Sequence, residues 1–291
     1  MFLRQRTKAE LLLVITTFIW GSSFVIVKGA LSDAGPFSFI AMRFTLAGLV
    51  MSGFVARGRL PRTAIFPSAV LGVMLFTGLA FQTWGLTLTT PSKSAFITGF
   101  SIILVPLMAL LAGHPMRPAN IAGASLGVLG LYFLVMPFGL GAVNHGDVLT
   151  LLGATAFAFH LVLVGTYTRR HSFLHLATGQ IIVVAVLSAL AVPFSPSMAI
   201  HWTRGLVFAI VVTALFATAF AFAVQVWAQQ YTPPAHTALI FALEPVFAAL
   251  TSRVVLHEHL GGRALWGAAL ILASMIISEI WGGTGPAPVE G

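Results

Sequence analysis

Leu243-Glu244-Pro245-Val246 sets a carboxylate in the middle of an apolar run. A charged side chain at that depth costs about 2.5–3.5 kcal/mol on insertion scales, so it needs a partner or a task. Three roles fit Glu244: ligand to a substrate amine, proton site, or acceptor of hydrogen bonds from a neighbouring helix. His160 lies midway along another apolar run and should face a polar cavity or a partner helix rather than lipid. Arg43 sits within a third run. It could hold a carboxylate bidentately, snorkel to the interface, or pair with Asp33.

The strongest spacing signal is a passage that occurs twice. Ala80-Phe-Gln82-Thr-Trp84, Thr89-Thr-Pro91 and Ala95-Phe-Ile97 return, 143 residues on and without a gap, as Ala223-Val-Gln225-Val-Trp227, Thr232-Pro-Pro234 and Ala238-Leu-Ile240. Each copy carries a glutamine two residues before a tryptophan. Glutamine can line a path or bond helix to helix, and tryptophan can form an interfacial belt. The same offset makes Lys93 the mate of His236, and placing Glu10 on Asp147 makes Ser23 the mate of His160. Lys28 and Lys93, near helix ends, are expected to snorkel. Pro106 and Pro245 interrupt two further runs. Pairing them takes a four-residue gap, and matched breaks point to a binding site in a repeat transporter; the alternative is kinks made for packing.

No catalytic set emerges. The chain has no cysteine, which removes disulfides and thiolate metal sites. Gly123-Ala-Ser-Leu-Gly127 fits an esterase elbow only on a strand-to-helix turn, so in an apolar span it reads as a packing motif. His257-Glu-His259 lacks further ligands nearby, and Asp33 and Asp147 are the only aspartates, too few to hold a metal on a diphosphate. Neither a cofactor nor a metal is expected, and no charged ring or filter-like loop suggests a passive channel.

Helices in lipid must position these residues. The 291 residues are 58% hydrophobic and 8% charged, against about 25% charged in soluble domains. Ten apolar runs lie near 9–30, 36–56, 64–87, 93–113, 117–136, 147–168, 174–195, 204–230, 236–256 and 262–282. Each is long enough to span a bilayer, and a span must satisfy its own backbone, hence a helix. The fold expected is an all-α integral membrane protein of ten transmembrane helices, arranged as two repeats at 1–136 and 147–282. The linker 137–146 joins them, and a disordered tail follows at 283–291. Five spans per repeat is odd, so the second repeat enters the membrane inverted. The net charge of +8 reflects loop bias rather than nucleic acid: nine Lys and Arg fall on one side against five on the other, which places both termini in the cytoplasm.

Trp20-Gly-Ser-Ser-Phe, Ala41-Met-Arg43-Phe, Leu243-Glu244-Pro245-Val-Phe-Ala-Ala-Leu and His257-Glu258-His-Leu together resemble the drug/metabolite transporter superfamily, EamA type, over residues 9–282. Within it, the chain is similar to the amino-acid exporters. The resemblance implies a central cavity lined by the first four helices of each repeat, in a bacterial inner membrane. It also implies export of amino acids, aromatic ones included, and related small metabolites by alternating access. Drug, purine or nucleotide-sugar transport are the alternatives. The expected lining is Trp20, Gln82, Trp84, His160, Gln225, Trp227 and Glu244, with Pro106 and Pro245 as hinges. The partners are the substrate and the lipid bilayer, with no nucleic acid, in a monomer or homodimer. The first half departs from the pattern: Gly113-His-Pro-Met stands where Glu-x-Leu is expected.

Overall fold

The computed structural model describes residues 2–55, 60–111, 118–135, 144–256 and 262–282. His257-Glu-His259, Gly113–Met116, most of the 137–146 linker and the tail lie outside them. The described chain is helical, with one isolated bridge between Ala34 and Ile200. Helices α1 (Phe2–Ala30), α2 (Pro36–Phe54) and α3 (Arg62–Leu88) are followed by a broken pair, α4 (Pro91–Gly99) and α5 (Ser101–Leu111), then α6 (Pro118–Val135). The second series runs α7 (His145–Tyr167), α8 (Phe173–Ala191), α9 (Arg204–Val212), α10 (Ala221–Ala228), α11 (Pro234–Phe241), α12 (Glu244–Leu256) and α13 (Gly262–Gly282).

Local chemistry explains where these helices start. Pro36, Pro91 and Pro234 stand at first positions, where a missing N–H costs nothing. Asn144 and Asp147 form a reciprocal capping box on α7. Thr203 caps α9 through the Leu206 amide and donates to Asp33 across the same loop cluster. Asp33 is thus engaged by Thr203 rather than by Arg43.

Among the described residues, seven helices are long and apolar enough to cross a membrane, and three shorter apolar stretches lie at Lys93–Met108, Ile121–Gly130 and Leu265–Ser274. Phe54, Phe66, Leu190, Val254 and Trp266 are all about two-thirds exposed or more. In water such a girdle would be an aggregation surface; here it is the face that lipid covers.

Three features were not legible in the residue pattern. First, α4 and α5 break at Phe100, and α11 and α12 break at Ala242-Leu243. These are the same places 143 residues apart: Phe100 N donates to Ile97 O, and Leu243 N to Ile240 O, each at 3.1 Å. In the first repeat this tightened turn lies six residues before Pro106, and in the second it lies two residues before Pro245. Pro106 lies inside α5, and Pro245 is the second residue of α12, where proline is tolerated. The gapless repeat makes Ser101 the mate of Glu244. Second, the eighth run is not a uniform α-helix: Thr213–Phe220 is a π-helix between α9 and α10. Third, α3 and α7 cross so tightly that a Cβ on Gly85 would lie 2.6 Å from Gly146 O, and one on Gly146 the same distance from Gly85 O. Only glycine allows that approach, the usual small-residue device in lipid.

Candidate functional site

The break at Ala242-Leu243 makes Glu244 the first residue of α12, its carboxylate at the positive end of a helix dipole. Glu244 is 8% exposed and faces a cavity of about 110 Å³, room for several waters and hence for a small polar solute. Its carboxylate accepts no hydrogen bond among the described residues. The helix-to-helix role, one of three open from the sequence, thus has no donor in the described structure.

Gly21 explains how α1 reaches this point. A Cβ there would meet Glu244 O at 2.6 Å and Ala248 N at 3.0 Å, so the glycine lets α1 lie against the first turn of α12. The rest of that motif has its own work. Trp20 and Ser23 line the cavity, while Ser22 Oγ lies 3.0 Å from Thr251 Oγ1 and ties α1 to α12.

Arg43 reaches the same cavity from α2. It neither snorkels nor meets Asp33. Its Nε donates to Thr218 Oγ1 at 2.6 Å and its Nη2 to Ala217 O at 3.0 Å. Trp20 Nε1 also donates to Ala217 O, at 2.8 Å. Two donors, from α1 and α2, thus meet on one carbonyl of the π-helix.

Five of the seven residues expected to line a path converge here: Trp20, Gln82, His160, Gln225 and Glu244. Gln82 Nε2 donates to Thr98 Oγ1 at 2.8 Å across the α3–α4 seam. His160 Nε2 lies 2.7 Å from Gln180 Oε1 of α8, which fixes the ring. Gln225 places its Nε2 3.5 Å from Gln229 Oε1, and its own Oε1 is buried without a partner. Trp84 and Trp227 stand elsewhere. Trp84 packs edge-on to Phe37, and Trp227 lies beside Tyr231 and under the Lys8 ammonium.

The cavity also takes in residues outside the expected lining. Ser101 and Thr98 face it, as do Phe24, Leu79, Phe157, Leu161, Phe222 and Phe241. A signal did exist. With the second copy set 137 residues on for α1 and 143 for α3 and α4, seven repeat mates share the lining: Trp20 with Phe157, Ser23 with His160, Phe24 with Leu161, Leu79 with Phe222, Gln82 with Gln225, Thr98 with Phe241, and Ser101 with Glu244. The wall is thus symmetric in position and asymmetric in chemistry. One repeat brings the arginine, the other the carboxylate and the histidine.

Such a chamber suits a solute bearing both charges and an apolar body. It holds an acceptor without a described donor, a guanidinium, amides and five aromatic side chains, Trp20, Phe24, Phe157, Phe222 and Phe241. Among the described residues no group of His, Asp or Glu is placed to hold a metal ion.

Comparison with known proteins agrees with a transport role. The pattern of the EamA-like transporter family matches residues 7–136 and again 144–279. An uncharacterized transporter of Archaeoglobus fulgidus is 34% identical over 278 residues, 95% of this chain and 87% of that protein. An S-adenosylmethionine/S-adenosylhomocysteine transporter of Chlamydia muridarum is 32% identical over 142 residues, 46% of this chain and 43% of its own length. A solved crystal structure superposes with a TM-score of 0.76 at 24% identity, covering 94% of this chain and 97% of that one, a likeness of fold.

Proposed function

Because the chain belongs to the EamA-like transporter family, a family of multi-pass membrane proteins, we propose that it exports amino acids and their derivatives by alternating access. In this reading the protein has ten spans in two inverted repeats, 1–136 and 147–282. It sits in a bacterial inner membrane with both termini cytoplasmic. The observation that carries the substrate class is one chamber holding a carboxylate with no described donor, Glu244, together with the Arg43 guanidinium. An amino-acid ammonium supplies what Glu244 lacks. The Arg43 fork, with two donors already spent, offers its remaining N–H groups to a carboxylate. Trp20, Phe157, Phe222 and Phe241 wall the space left for a side chain, which suits aromatic amino acids and agrees with the likeness of the residues to the aromatic-amino-acid exporter YddG. The breaks at Phe100 and Leu243, with Pro106 and Pro245 close by, are where the half-helices would pivot.

The relative named for S-adenosylmethionine bears on the substrate range. That molecule is an amino-acid derivative with a sulfonium cation, so it presents the same ammonium and carboxylate with one positive charge more. Arg43 and His160 are the basic side chains in the described lining, few for the diphosphate of a nucleotide sugar.

The test is uptake of labelled phenylalanine, threonine, S-adenosylmethionine and a nucleoside into liposomes holding the purified protein, with and without a pH gradient. Saturable amino-acid uptake that shows counterflow supports the reading. Uptake that needs the gradient assigns Glu244 a proton as well as an amine. Uptake of the nucleoside alone overturns the substrate class and leaves the family standing.

A further inference from the structure

The second repeat leaves one acceptor stranded on the cavity wall. Gln225 is 2% exposed and lines the cavity, and its Oε1 is buried without a hydrogen-bond partner. Neighbouring groups dictate which way its amide turns. Gln229 Nε2 donates to Leu161 O at 2.9 Å. A carbonyl only accepts, so Gln229 turns its own Oε1 toward Gln225. Gln225 answers with its Nε2, 3.5 Å away. That is long for a hydrogen bond, but the reversed amide would set two oxygens face to face. Gln229 is outside the lining, so the oxygen is the end of the Gln225 amide left for a solute. A buried acceptor without a donor is costly, and a bound donor removes that cost.

Contacts with α1 place this oxygen relative to Glu244. Ala9 and Leu13 share a core cluster with Ala228 and Ile240. Farther along α1, Trp20 donates to Ala217 O and Gly21 backs onto Glu244 O. The segment from the π-helix through α10 therefore runs against α1, while α11 and α12 run with it. Glu244 is level with Ala217, and Gln225 stands eight residues from Ala217, on the order of 10 Å of helix rise. The Trp20 ring lies between them, its centroid 5.3 Å from that of Phe222 and 5.0 Å from that of Phe241. The chamber thus presents a carboxylate, an aromatic wall and an amide oxygen in that order.

We propose that Gln225 is a specificity-determining residue: its Oε1 accepts from a hydroxyl or N–H at the far end of an aromatic side chain whose ammonium sits on Glu244. This rests on the amino-acid reading above. Tyrosine carries its hydroxyl roughly 6–8 Å from its ammonium, so with a hydrogen bond at each end one molecule reaches both acceptors with its ring against Trp20. The indole N–H of tryptophan is placed in the same way. Phenylalanine fills the walls and leaves the oxygen stranded. A site built to bond a hydroxyl rejects the analogue lacking it more sharply than an apolar pocket rejects by size.

Binding of labelled tyrosine to the purified protein, in competition with unlabelled ligands, tests this. The ligands are tyrosine, phenylalanine and 4-methylphenylalanine, which fills the space of the hydroxyl without its donor. The parent should bind tyrosine roughly 3- to 10-fold more tightly than either analogue. Gln225→Met keeps the length of the side chain and removes the acceptor, and should bring the ratio of tyrosine to 4-methylphenylalanine affinity to about one. A role confined to packing would move all three ligands together and leave that ratio unchanged. Equal binding of tyrosine and 4-methylphenylalanine by the parent, or an unchanged ratio in the variant, would overturn the proposal. The comparison on the parent rests on ligands alone, so it decides the matter even if the variant, checked by size-exclusion profile, does not fold. Phenylalanine counterflow in liposomes scores the transport reading separately: counterflow without a tyrosine preference sinks this proposal alone. If none of the three amino acids binds, the proposal falls together with the amino-acid reading.

Discussion

Glu244→Gln tests the site in a way that separates binding from architecture. The substitution keeps size and an acceptor oxygen and removes the charge. A charge-assisted hydrogen bond contributes about 1.5–3 kcal/mol and a neutral one about 0.5–1.5 kcal/mol. If Glu244 holds the substrate ammonium, the variant should lose about 1–1.5 kcal/mol of substrate binding, a rise in KM of roughly 5- to 13-fold. Glu244→Ala should cost the whole interaction, roughly 10- to 150-fold. Stability should respond with the opposite sign. The carboxylate has no hydrogen-bond donor among the described residues, so neutralising it removes a desolvation cost and breaks no bond. The purified Gln variant should unfold at the same temperature as the parent or higher. The assay is a concentration series of labelled phenylalanine uptake in proteoliposomes, paired with a thermal melt in detergent. A substantial fall in the melting temperature, or a protein absent from the membrane, would refute the reasoning, since breaking a buried pair costs about 3–5 kcal/mol. An unchanged KM in a well-folded variant would refute the amine assignment.

Other substitutions probe the walls. Gly21→Leu should destabilise the fold by about 1–3 kcal/mol or more, read as a lower melting temperature, because the new side chain meets the backbone of α12, which has no room to yield. Arg43→Lys should lose one of the two bonds that hold the π-helix. A lowered melt together with reduced uptake is expected, because an ammonium does not reproduce the guanidinium fork on Thr218 Oγ1 and Ala217 O. Trp84→Phe should leave KM for phenylalanine within about twofold, because Trp84 packs on Phe37 away from the cavity; a change comparable to that of Gln82→Ala would place it back in the path.

The residue pattern alone determined a great deal here. Hydropathy settled a helical membrane protein, because lipid offers no partner to an open backbone. The gapless recurrence of Gln82-Thr-Trp84 as Gln225-Val-Trp227 settled an internal repeat. Depth along a span singled out Glu244 and His160, because buried charge and buried imidazole are costly wherever they occur. Rotation about each helix axis was the missing quantity. Gln82 and Trp84 are two residues apart and point in different directions, so one meets Thr98 beside the cavity and the other meets Phe37. Only the tertiary structure decided which. It also placed the breaks in the fourth and ninth runs at tightened turns on Phe100 and Leu243, equivalent positions in the two repeats. The π-helix at Thr213–Phe220 had no marker in its residues, and its Ala217 carbonyl is met by Trp20 and Arg43 from 197 and 174 positions away. Lys93 and Asp147 could be aligned with His236 and Glu10 by counting. That Lys93 meets Asp147 and His236 meets Glu10 is set by which helices packing puts side by side.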